Sequence, residues 1–104
     1  MNFLKEILFS FPILKFKINQ KSMEPTLKEG DNVLVNRLFY FFRKPKIDDI
    51  IVLKYPKNNM YLIKRVKKVD NNKYFVLGDN LKESIDSRDF GWISKKEIIG
   101  KVWF

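Results

Sequence analysis

The chain has 104 residues, 45% of them hydrophobic, which bounds it to one domain with a real core and little surplus stability. It has no histidine and no cysteine, which excludes a Ser-His-Asp triad, a thiol nucleophile, disulfides and thiolate metal sites. A zinc site of carboxylates alone would be unusual, so neither a metal nor another cofactor is expected. The 21 Lys and Arg against 12 Asp and Glu give a formal charge of +9, a balance that attracts polyanions, anionic lipid as well as nucleic acid, without choosing between them.

In chain order, Phe3, Leu4, Ile7, Leu8 and Phe11 recur at helical spacing and predict a short amphipathic helix over residues 1–12, ended by Pro12. Charges at Lys5, Glu6, Lys15 and Lys17 break this apolar stretch, which falls short of the ~18–20 residues that a spanning helix needs. It also lacks the basic start and small-residue cleavage site of a secretory signal. Leu14, Phe16 and Ile18 alternate with Lys15 and Lys17, a half-buried strand leading to Ser22. Val33–Val35 and Ile50–Leu53 are buried strands separated by the aromatic run Leu38–Phe42. Tyr61–Val69 and Tyr74–Leu77 form a hairpin about Asp70-Asn71-Asn72. Residues 78–91 show almost no regular pattern, Lys95–Ile98 suits a helical turn, and Lys101–Phe104 a last strand. The sum is a mostly β domain over residues 13–104, carried behind the short helix.

Three blocks carry chemistry. Ser22 opens Ser22-Met23-Glu24-Pro25-Thr26-Leu27. Pro25 fixes its own backbone and disfavours helix at Glu24, so the serine sits on a stiff, non-helical turn suited to holding an attack geometry. Lys64 lies in Tyr61-Leu62-Ile63-Lys64-Arg65-Val66. In an extended strand it shares a face with Leu62 and Val66, surroundings that lower a lysine from about 10.4 toward the roughly 7–8 that a general base needs. The third block runs from Gly78 through Asp79, Asn80, Ser84 and Asp86 to Arg88. Gly78 allows a positive φ there, and Asp79 and Asn80 suit an irregular turn. A lone lysine in such a strand more often snorkels to solvent, and a lone polar turn means little. The three together, in this order, mean more.

They resemble the type I signal peptidases and their mitochondrial inner membrane and nickel superoxide dismutase maturation protease relatives, which use a serine with a lysine base. The resemblance covers roughly residues 18–102 and implies a compact signal-peptidase-like β domain without a large insert. It also implies a serine endopeptidase that cleaves signal peptides or pro-segments after small residues. Ser22 would be the nucleophile and Lys64 the base. Ser84 would hydrogen-bond the lysine amine and orient it. The Ser22 N–H would stabilise the oxyanion, with the Gln20 amide as a second donor where relatives carry glycine or serine. Arg65, Asp79, Asn80, Asp86 and Arg88 would brace the site, Asp86 pairing with Arg88 or Arg65. Asp48-Asp49 stands where relatives commonly have Gly-Asp. The implied partners are a precursor protein and a membrane surface, with the site on the outer face of a cytoplasmic membrane and no nucleic acid bound. Two alternatives remain open: a dedicated protease for one precursor, with a soluble cytoplasmic location as the alternative to the membrane, and a non-catalytic basic module whose aromatics, such as Phe39, contact bases or headgroups.

Overall fold

Period-two alternation fixes the architecture. A computed structural model describes residues 13–55, 57–58 and 60–103, so the helix expected over residues 1–12 lies outside the described residues. Among the described residues, seven strands form one sheet: β1 (Ile13–Lys17), β2 (Asn32–Asn36), β3 (Ile50–Lys54), β4 (Tyr61–Asp70), β5 (Lys73–Leu77), β6 (Ile93–Ser94) and β7 (Ile98–Val102). Their order across the sheet is β1-β2-β7-β3-β4-β5-β6, and every pairing is antiparallel. The hairpin between β4 and β5 turns at Asn71 and Asn72, both at positive φ (46° and 61°), which matches the right-handed twist of the flanking strands.

Because side chains alternate across a strand, β3 feeds two cores. Ile51 and Leu53 pack with Leu62, Val66, Tyr74, Val76, Ile93 and Tyr40 on one face. Val52 packs with Ile18, Met23, Leu27, Val33, Val35 and Val102 on the other. Fully buried aliphatic side chains such as these contribute about 1.5–3 kcal/mol each by leaving water. The aromatic run forms a 3-10 turn, Phe39–Phe41, in which Tyr40 is buried in the core and Phe39 packs against it, while Phe41 and the following Phe42 are 71% and 93% exposed.

The stretch expected to be irregular has more order than its composition showed. It holds a 3-10 turn at Leu81–Glu83 and a short helix, α1 (Ser87–Phe90), capped by Asp86. The helical turn expected near Lys95 is a 3-10 turn, Lys95–Glu97, under a Ser94/Glu97 capping box. The last strand begins earlier than its sequence pattern showed, at Ile98.

Among the described residues, two of the open backbone edges face a common groove. β1 pairs only with β2 among the described residues. In β4, Tyr61 to Lys64 pair with β3, while β5 joins only from Arg65 onward. Phe16 of β1 and Tyr61 of β4 meet edge to face across this groove, with ring centroids 5.8 Å apart.

Candidate active site

The loop after β1 carries Ser22 and is held from two sides. Met23 and Leu27 are buried in the second core, the Leu27 N–H donates to the Met23 carbonyl at 2.9 Å, and the Glu24–Pro25 peptide is cis. From the third block, the Asn80 N–H donates to the Ser22 carbonyl at 2.8 Å and its side-chain amide donates to the Lys21 carbonyl at 3.1 Å. Asn80 thus grips the backbone of the serine loop while its own carbonyl accepts the Glu83 N–H at 3.0 Å within the third block.

Lys64 comes from the other core. It sits opposite Ile51 in the sheet, between Leu62 and Val66 on the inner face of β4, and is 1% exposed. Its Nζ donates to Ser22 Oγ at 2.8 Å. Burial pulls the amine down from 10.5 to about 8, the negative charge of Asp86 pulls it partly back, and the positive charge of Arg88 adds to the lowering. The arrangement places a buried amine with a substantial neutral fraction near pH 8 in hydrogen-bond contact with a hydroxyl.

Arg65, one residue on, points to the opposite face and has a different fate. Its Nε and Nη2 donate to the two Asp79 oxygens at 2.9 and 2.8 Å, and Nη1 donates to the Asp48 carbonyl at 3.0 Å. Thr26 donates to the same Asp79 carboxylate at 2.6 Å. The hydrogen bonds from Arg65 are the main cause holding Asp79 below its usual range. The Arg65–Asp79–Thr26 chain ties β4, the third block and the serine loop together.

Asp86 organises the rest of the third block. Burial raises its carboxyl, but hydrogen bonds from Arg88, the Gly78 N–H, Ser84 and the Arg88 N–H outweigh burial and hold it at about 2. Of the two arginines that could pair with it, Arg88 does so, at 2.9 Å. Among the described residues, no buried side-chain polar atom lacks a partner.

Ser22 and Lys64 are therefore brought together, and Arg65, Asp79, Asn80, Asp86 and Arg88 lie around them. Ser84 is in this shell, but its hydroxyl donates to Asp86 at 2.7 Å and makes no hydrogen bond to the Lys64 amine. Gln20 is exposed at the mouth of the site, lining the groove beside Ser22. The Ser22 N–H has no acceptor among the described residues.

Gly78 proves necessary for a different reason from positive φ. A Cβ there would fall 2.2 Å from Ser84 Oγ and 2.6 Å from the Ser22 carbonyl oxygen, so glycine lets the third block close onto the serine loop. Asp48 is at positive φ, 77°, a conformation that favours glycine. Sequence reasoning missed Thr26 and also Ser87, whose buried hydroxyl accepts the Val76 N–H at 2.8 Å. Only the Asp86-x-x-Asp89 capping pattern marked that helix start.

The groove between the open edges has a volume of about 280 Å³ and is lined by Phe16, Ile18, Gln20, Ser22, Met23 and Ile63 among others. An extended peptide laid there would find backbone partners on both sides.

Comparison with known proteins gives this geometry a context. The profile of the family described as signal peptidase, peptidase S26, matches residues 3–67 and 66–104. Signal peptidase I V of Bacillus subtilis is 28% identical over 86% of the chain and 83% of its own length. Signal peptidase IB of Staphylococcus aureus is 28% identical over 94% of the chain and 80% of its own. Thylakoidal processing peptidase 1 of Arabidopsis thaliana is 28% identical over 94% of the chain, which spans only 43% of that protein. With the family profile matching nearly its whole length, the chain belongs to the signal peptidase family, peptidase S26.

Proposed function

We propose that the protein is a serine endopeptidase that removes signal peptides or pro-segments from precursor proteins, with Ser22 as nucleophile and Lys64 as base. The observation that carries this reading is the 2.8 Å contact between a buried, depressed lysine amine and Ser22 Oγ at the end of a groove with two open strand edges. Neutral Lys64 takes the Ser22 proton as Oγ attacks the scissile carbonyl. The Ser22 N–H and the Gln20 amide donate to the oxyanion. As the C–N bond breaks, the Lys64 ammonium returns its proton to the leaving amine. Lys64 then deprotonates a water that hydrolyses the acyl-enzyme. The Phe16–Tyr61 contact narrows the groove and favours small side chains beside the cut.

The place of action is a membrane surface, on the outer face of a cytoplasmic membrane. No helix among the described residues is long and apolar enough to cross a bilayer. The exposed Phe41 and Phe42, next to Arg43 and Lys44, form a combination suited to contact with an anionic interface.

The test is incubation of the purified chain with a panel of precursors in detergent, with mass spectrometry of the products. Cleavage after small residues that disappears in Ser22→Ala supports the reading. A folded wild-type chain that cuts nothing, or a Ser22→Ala chain that still cuts, overturns it.

A further inference from the structure

A second groove of about 390 Å³ lies beside the first and shares Gln20 and Met60 with it. The two are divided by the strand that carries the lysine. Tyr61 and Ile63, on one face of β4, line the first; Leu62, on the same face as Lys64, lines the second. The remaining walls of the second groove include Lys21 and Glu29 from the serine loop and its following turn, Tyr55, and Glu83 and Ile85 from the third block.

Proton return distinguishes the two grooves. The group that takes the Ser22 proton must give it to the nitrogen of the departing peptide, so that nitrogen has to lie within reach of Lys64 Nζ. The acyl part of the substrate runs along the edges leading to Ser22, in the first groove. The departing part then continues past the serine on the lysine's face of β4, where the second groove opens.

Its charge runs against that of the protein. The chain as a whole has 21 cationic against 12 anionic side chains, yet this groove is lined by two carboxylates, Glu29 and Glu83, and one ammonium, Lys21. Both carboxylates are exposed, and the side-chain hydrogen bond to Glu83 is a long one, 3.5 Å from Asn80. Tyr55, Met60, Leu62 and Ile85 supply an apolar floor for the stem of a long side chain.

We infer that the second groove holds the leaving side of the substrate, and that Glu29 and Glu83 give it a preference for Lys or Arg within the first few residues after the cut. The inference rests on the peptidase reading for its direction, and it adds a specificity on the side of the bond that the first groove does not contact.

The test uses peptides identical but for Lys or Glu at the second or third position after the scissile bond, and a control pair with the same exchange on the acyl side. Wild type should favour the leaving-side Lys peptide in kcat/KM by about fivefold, the factor of an exposed ion pair near its upper limit, and added salt should shrink it. Glu29→Gln with Glu83→Gln should abolish this preference and leave the acyl-side pair unchanged. Equal rates for the leaving-side pair, or a preference that survives in the double variant, overturn the inference.

A binding arm separates this from the peptidase reading. The same peptides are titrated onto Ser22→Ala, with and without the two Glu→Gln changes. If wild type cuts nothing, the peptidase reading falls, but a Lys preference in binding that the double variant loses still upholds the groove. Binding blind to leaving-side charge, or no binding of any peptide, overturns the groove.

Discussion

Lys64 and Arg65 are neighbours in the sequence and opposites in the structure. Both are cations on β4, and the strand's alternation sends one into each side of the sheet. Arg65 finds a bidentate carboxylate and is raised further by it. Lys64 finds apolar walls and a serine hydroxyl, and is lowered to about 8. The difference shows how the strand separates a cation that holds structure from an amine able to give up its proton. It is a matter of partners more than of residue type, although the types are not interchangeable.

The largest effect expected of this contrast is on turnover. Lys64→Arg keeps the charge but cannot release its proton, so it should lose on the order of 10²–10⁴ in kcat, the usual worth of a general base. Arg65→Lys should retain the chemistry and lose stability, by about 1–2 kcal/mol for the missing bidentate pair. Steady-state kinetics and urea unfolding of both variants check this. Comparable turnover in the two would erase the distinction.

Stability should move the other way at Lys64. The unfolded chain keeps this amine protonated up to about 10.5, the folded protein only up to about 8. Between those values the unfolded state binds more protons, so stability rises with pH, and below about 8 the full cost is present. Lys64→Met should therefore gain up to about 3 kcal/mol at pH 6.5, offset in part by the lost bond to Ser22, with the gain shrinking toward pH 10. Urea titrations at the two pH values measure it. A Lys64→Met protein less stable than wild type at pH 6.5 would mean that burying the amine costs the fold nothing.

Ser84→Ala should have the smallest effect. With its hydroxyl on Asp86, Ser84 would act on the amine through that carboxylate. The expected loss is about tenfold in kcat/KM, the worth of an orienting hydrogen bond of about 1.5 kcal/mol, with a displaced pH profile as the sign that the base is affected. A wild-type rate and profile would remove Ser84 from the site.

What was legible in the sequence follows from how local the cause was. The strands around Phe16 and Leu62 follow from alternation, as does the burial of Lys64 beside Leu62 and Val66, and those around Val33 and Ile51 follow from short apolar runs. The partners of Asp79 and Asn80 were not legible. The sequence marked a turn, but the contacts run to Arg65, Thr26 and the Lys21 and Ser22 carbonyls, far along the chain. The need for Gly78 was likewise tertiary, since only the folded loop shows what a Cβ would strike. The two-residue strand β6 carries too short a pattern to see, and it forms because β5 offers Lys73 and Tyr74 as partners.

Whether Lys64 acts as a neutral amine toward Ser22 is tested most directly by the pH dependence of kcat/KM, which reports the free enzyme's groups. With a substrate that does not itself titrate, the rate should climb with pH through a midpoint near the value of about 8 set by burial of the amine. A rate independent of pH from 6 to 9, or one that rises only near the ~10.4 of an ordinary lysine, would contradict it.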